Sequence, residues 1–140
     1  MIRNVVVDTG PLIALIDRGD RHHAWVREQF DQILPPLLTC EAVLAEACYL
    51  GPRAGRAMED PLLLLERGVL RLAFDLGDNV RQVGALMKRY VNVPMSLADA
   101  CLAQMSELVP ESIVLTLDSD FRVYRRHRRQ RIPLLMPPKI

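Results

Sequence analysis

The sequence predicts a three-layer α/β/α domain with a central, mainly parallel sheet, and three observations carry that prediction. Short runs at Ile2-Arg3-Asn4-Val5-Val6-Val7 and Ile113-Val114-Leu115-Thr116-Leu117 read as buried strands. Longer stretches of helical spacing separate them, so strand, helix and strand alternate along the chain, which implies βαβ units and hence parallel pairing. Proline, glycine and capping residues stand at the joints between the two kinds of segment.

Taken in order, Ile2 to Val7 feeds the tight turn Asp8-Thr9-Gly10-Pro11. Pro11 suits the first turn of a helix, where its missing N–H leaves no bond unmade. Leu12, Ile13, Leu15 and Ile16 give that helix its apolar face. Asp20 precedes a second helix, from about Arg21 to Leu34, which Pro35-Pro36 stops. Leu37-Leu38 is a brief strand, and Thr39 is placed as the N-cap of a helix from Cys40 to Leu50 that Gly51-Pro52 terminates.

A further helix is expected from about Arg53 to Arg67, ended by Gly68, then a strand Val69 to Leu72 and a helix Asp78 to Tyr90. Ser96 opens the last helix, which runs to about Leu108. After the second strong strand, Ile132 to Leu135 is expected as a short edge strand before Pro137-Pro138. No internal repeat, low-complexity stretch or linker interrupts the pattern, so residues 1–140 read as one domain.

Composition agrees. Half the residues are hydrophobic and 25% charged, which excludes the signature of disorder. A chain of this length buries roughly two-thirds of its unfolded surface. Cys40, Cys48 and Cys101 are odd in number and lack CxxC spacing, so they are expected to be small buried thiols in a cytoplasmic protein. The apolar stretch from Val5 to Ile16 is broken by Asp8, which argues against a signal peptide, and no segment is long enough to span a bilayer. The net charge of +1 hides a split: residues 1–120 hold 11 basic against 17 acidic residues, whereas 121–140 hold six Arg and one Lys without an acid. Such a division can draw a polyanion to one surface and cations to another.

Acids stand where the chemistry is expected. Open parallel sheets bind ligands beyond the carboxyl ends of their strands, near the point where strand order reverses. Asp8 and Asp118 directly follow the two strong strands. Glu46 and Asp99 lie near the starts of helices that begin on or near the same edge, and Glu46 shares a face with Ala42 and Val43, so it is expected to be partly buried and to need a partner. Each acid also has a local explanation: Asp8 and Asp118 can close turns, Asp99 completes a capping box with Ser96, and Glu46 can be an ordinary helix acid. Turn chemistry gives no reason for several to gather at one edge. Four converging carboxylates would repel unless some are protonated or a cation neutralises them. Their hard oxygens suit Mg²⁺ or Mn²⁺ rather than zinc.

Four blocks stand out: Val5 to Asp17 with Asp8-Thr9-Gly10-Pro11, followed by His22-His23-Ala24-Trp25; Val43-Leu44-Ala45-Glu46; Ser96-Leu97-Ala98-Asp99-Ala100; and Val114 to Phe121. In these blocks, their order and their spacing the chain resembles the PIN-domain nucleases, and in particular the VapC-type ribonuclease toxins of toxin–antitoxin pairs. The resemblance implies that Asp8, Glu46, Asp99 and Asp118 are metal-binding catalytic carboxylates, with Thr116 and Asp120 as accessory residues. It further implies Mg²⁺- or Mn²⁺-dependent endoribonuclease activity, an RNA substrate, a homodimer, and inhibition by a cognate antitoxin. A solitary PIN nuclease in RNA processing and a non-cleaving RNA- or protein-binding module are the alternatives.

Several other features are weighed beside it. Arg122 and Arg125 begin a basic run that reads as a solvated surface or as phosphate contacts near the acids, with Tyr124 available to stack on a base. His22 and His23 read as solvated, and Trp25 and Phe30 as core or dimer-interface residues. The D-x-D of Asp118 and Asp120 superficially matches aspartyl-phosphate phosphatases. Those enzymes carry it on an early strand with lysine and further acids downstream, whereas here 20 residues follow and Lys139 is the only lysine among them.

Overall fold

The computed structural model describes residues 1–53 and 59–139. Strand β1 (Val5–Val7) leads into α1 (Thr9–Ile16) and α2 (His23–Gln32), then β2 (Leu37–Thr39) and α3 (Glu41–Arg53). After α4 (Glu59–Glu66) come β3 (Leu70–Leu72), α5 (Val80–Arg89), α6 (Leu97–Leu108) and β4 (Ile113–Leu115). The chain finishes with β5 (Arg125–Arg126), β6 (Gln130–Arg131) and β7 (Leu134–Leu135).

Five strands form one parallel sheet in the order β3-β2-β1-β4-β7. Its centre is β1, whose three valines are fully buried, as a strand covered on both faces requires. From β1 the chain builds outward through β2 and β3, then returns to add β4 and β7 on the other side. Strand order therefore reverses between β1 and β4, which pair Val5 with Ile113, Val6 with Val114 and Val7 with Leu115. The helices complete the three-layer α/β/α architecture. Of these α6 is the most enclosed, with every residue from Ala100 to Ser106 buried, because it packs on β1 and β4 while α5 covers it from outside.

Several boundaries differ from expectation. Thr39 does not cap a helix: it ends β2, and its hydroxyl donates to the Val7 carbonyl at 3.2 Å, so α3 starts at Glu41. Gly51-Pro52 does not end α3, which continues to Arg53. A proline close to a helix C-terminus removes one hydrogen bond there without preventing the last turn. The helix expected from Arg53 is described only from Glu59 to Glu66, and residues 54–58 lie outside the described residues. A 3-10 turn at Gly77–Asn79 takes the first residues of the expected Asp78 helix.

Within the basic segment, β5 and β6 form an antiparallel hairpin that the sequence did not signal. Phe121 and Tyr124 lie fully buried beside it in edge-to-face contact, and Tyr124 also meets Tyr90 edge-on. Tyr124 is therefore unavailable for base stacking. Trp25 and Phe30 are half-buried against the core. His23 is not simply solvated, since Nδ1 donates to the Ala14 carbonyl at 2.7 Å and ties α2 to α1. Cys40 and Cys101 are buried with their thiols hydrogen-bonded, which together with burial pushes the Cys40 thiol up, while Cys48 is half-exposed.

Candidate active site

Asp8 is held on three sides. Its amide donates to the Leu115 carbonyl at 3.0 Å, extending the β1–β4 ladder past the strand end. Its Oδ1 accepts from the Thr9 amide at 2.8 Å and so caps α1, while its Oδ2 accepts from the Thr116 hydroxyl at 2.8 Å. Asp8 thus caps α1 with one oxygen and accepts from Thr116 with the other. Thr116, fully buried, also accepts from the Asp118 amide at 3.0 Å. One hydroxyl therefore bridges the two acids that follow the switch-point strands. Asp118 Oδ1 then accepts from the Asp120 amide at 2.9 Å and opens the 3-10 turn Ser119–Arg122.

Asp99 likewise combines two roles. It completes the capping box of α6: its amide donates to Ser96 Oγ at 3.1 Å and its Oδ2 accepts from the Ser96 amide at 3.4 Å. The buried Tyr124 hydroxyl donates to the same oxygen at 3.1 Å. Glu46 reaches the group from α3, where its Oε2 accepts from the Thr9 hydroxyl at 3.2 Å. It is exposed rather than partly buried, because the buried stripe of α3 passes through Val43, Leu44 and Ala47 and leaves Glu46 at the rim.

All four acids line one open cavity of about 680 Å³ at the switch point, together with Thr9, Asp20 and Ser96. Their electrostatics reflect crowding. Burial pushes the Asp8 carboxyl up to about 7, against the lowering hydrogen bonds from Thr116 and Thr9, and the charges of Asp99 and Asp118 add to the rise. Asp99 is raised as well, by burial first and by Asp118, while the Tyr124 and Ser96 hydrogen bonds oppose it. The Tyr124 phenol in turn is held well above its usual value by burial and by the Asp99 charge.

Asp120 does not line this cavity. Nor do Arg122 and Arg125: Arg122 borders a separate cavity with Arg131, and Arg125 faces the cleft between α5 and the β5–β6 hairpin. Two contributors escaped sequence reasoning. Asp20 comes from the α1–α2 loop, where its Oδ1 accepts from the His22 amide at 2.8 Å, a turn contact with no distinctive spacing. Tyr124 sits three residues after Phe121, an aromatic pair at helical spacing that the surrounding arginines obscured.

Residues 5–126 match the PIN domain family. The chain is also similar to Ribonuclease VapC26 of Mycobacterium tuberculosis (strain ATCC 25618 / H37Rv), 29% identical over 125 residues that span 88% of each protein. With acids at the reversal point of a parallel sheet and a family match across most of its length, this chain belongs to the PIN domain family.

Proposed function

We propose that the protein is a Mg²⁺- or Mn²⁺-dependent endoribonuclease, acting as the toxin of a toxin–antitoxin pair, with Asp8, Glu46, Asp99 and Asp118 as its catalytic carboxylates. The observation that carries this reading is the convergence of these four acids on one cavity, where burial and mutual repulsion lift Asp8 to about 7. A carboxylate so destabilised is poised to gain from a cation. Family membership and the likeness to a protein named a ribonuclease support RNA as the substrate. A cognate antitoxin and a homodimer belong to the same proposal.

The donor set fits a hard divalent ion, since every candidate ligand is a carboxylate oxygen. Bound there, such an ion would lower the pKa of water and take up charge developing on the phosphodiester. The chain's own residues prepare the place. Thr116 fixes the Asp8 rotamer and the start of the Asp118 turn, Tyr124 and Ser96 fix Asp99, and Thr9 steadies Glu46. Asp120 buttresses Asp118 through its amide rather than by facing the cavity.

One observation favours a second reading. Among the described residues no group of three or more His, Cys, Asp or Glu side chains is drawn up to hold an ion, as would suit a PIN module that binds RNA or protein without cutting. Incubating the purified protein with single-stranded RNA in magnesium, and in chelator, separates the two. Cleavage in magnesium that chelator abolishes is expected; intact RNA in both overturns the nuclease reading.

A further inference from the structure

A second cavity, of about 510 Å³, opens between α5, α6 and the β5–β6 hairpin, and four arginines line it: Arg89, Arg125, Arg128 and Arg129. Glu107 also borders it, but this carboxylate is already engaged by the hairpin, accepting from the His127 amide with His127 Nδ1 at 3.8 Å. Among the described residues none of the four arginines makes an ion pair. Four guanidinium groups around one committed carboxylate leave an uncompensated positive field, which attracts a polyanion.

The hairpin is fixed in place. Arg126 donates to the Ser106 carbonyl of α6 at 3.0 Å, and the Arg125 amide donates to the Tyr90 hydroxyl at 3.0 Å. Arg125 Nη1 is itself tied to the carbonyls of Arg122, Val123 and Tyr124 at 2.7, 3.0 and 3.1 Å, so its guanidinium is already oriented. The three-residue loop holds His127 at φ 48° and Arg128 at φ 70°, a left-handed region that strains a non-glycine residue. Gln104, 5% exposed, also lines the cavity and donates its amide N–H to Asn79 Oδ1 at 3.2 Å, which makes the other end of its amide the acceptor.

Gln104 stands five residues after Asp99 on the same helix, roughly 8 Å along its axis and turned about 140°. We infer that this arginine-lined cleft is an RNA-binding site separate from the acid cavity, with Arg89, Arg125, Arg128 and Arg129 contacting phosphates and Gln104 accepting from a base edge. The inference rests on the RNA reading above and extends it to a second surface. Guanidinium forks match phosphate and carboxylate oxygens alike, so the choice of RNA over an acidic peptide follows from the RNA reading of the acid cavity, with Gln104 as an acceptor that a base edge can use.

The test compares the wild type with the Arg128→Gly, Arg129→Gln variant in chelator, so that no strand is cut. Glycine at 128 removes backbone strain together with charge, and a thermal melt confirms that the variant is folded. Binding of a fluorescein-labelled single-stranded RNA is followed by anisotropy from 50 to 200 mM salt. Roughly fivefold to tenfold weaker binding is expected. The slope of log affinity against log salt should fall by about 1.4, since each phosphate contact on a single strand contributes about 0.7. Unchanged affinity and slope overturn the inference. Loss of poly-glutamate binding without loss of RNA binding overturns it in favour of an acidic protein partner. Cleavage by the wild type in magnesium is scored separately. An arginine-dependent slope without cleavage leaves the cleft standing and removes the nuclease reading, whereas cleavage with an unchanged slope removes the cleft alone.

Discussion

The Thr116 hydroxyl donates to Asp8 Oδ2 at 2.8 Å and joins the ends of the two central strands through the side chains that follow them. Because the same oxygen accepts from the Asp118 amide, its loss strands two polar groups at once. Thr116→Val should therefore destabilise the protein by about 1–3 kcal/mol and reduce RNA cleavage, whereas Thr116→Ser, which keeps the hydroxyl, should restore most of both. Thermal melts and initial cleavage rates check this, and a valine variant matching the wild type in both would remove Thr116 from the account.

The raised Asp8 carboxyl makes a prediction about pH. Its value rises from 3.8 to about 7 on folding, so the native state binds more protons than the unfolded chain between those limits. Without divalent ions, stability should fall as pH rises from about 4 to about 7 and level off above, a loss on the order of 4 kcal/mol from this group. Asp8→Asn removes the charge, so at pH 8 in chelator the variant should melt several degrees above the wild type. At pH 5 the advantage should shrink by more than half. A difference between variant and wild type that does not change from pH 5 to pH 8 would show that Asp8 bears no burial penalty.

Tyr124→Phe isolates one contact. The ring and its packing on Phe121 and Tyr90 are kept, while the hydrogen bond to Asp99 Oδ2 is lost. That bond favours the ionised form of Asp99, so its removal raises the carboxyl further. The acid limb of the pH–rate profile should move to higher pH, with a stability loss of about 1 kcal/mol. A profile that stays in place would make Tyr124 a packing residue alone.

Magnesium should counteract the repulsion among the acids. At pH 8 it is expected to raise the melting temperature of the wild type by mass action and to leave the Asp8→Asn, Asp99→Asn variant unmoved. Equal shifts in the two proteins would place ion binding elsewhere.

The sequence disclosed most where local and tertiary demands coincide. Three valines ending at Asp8 form a strand buried on both faces, and Ser96 with Asp99 forms the capping box that the spacing implies. Pairing of β1 with β4 then brings Asp8 beside Thr116, 108 residues away, which no local pattern encodes. Glu46 was placed correctly on its helix but not at its depth, because a residue one position beside the buried stripe can fall on either side of the surface. The hairpin at Arg125–Arg131 stayed hidden because it carries no apolar alternation; its hold on the body comes from arginine and tyrosine hydrogen bonds. For the same reason Arg122 and Arg125, three residues apart, could not be assigned to different surfaces before the fold was known.

The proposed RNA-cutting activity of this PIN domain rests on the four carboxylates gathered at the switch point. Its most direct test is cleavage of single-stranded RNA in magnesium by the purified Asp8→Asn, Asp99→Asn variant beside the wild type, with both proteins shown folded by their melts. Cleavage by the wild type and none by the variant is expected; cleavage retained by the variant overturns the role proposed for the four acids.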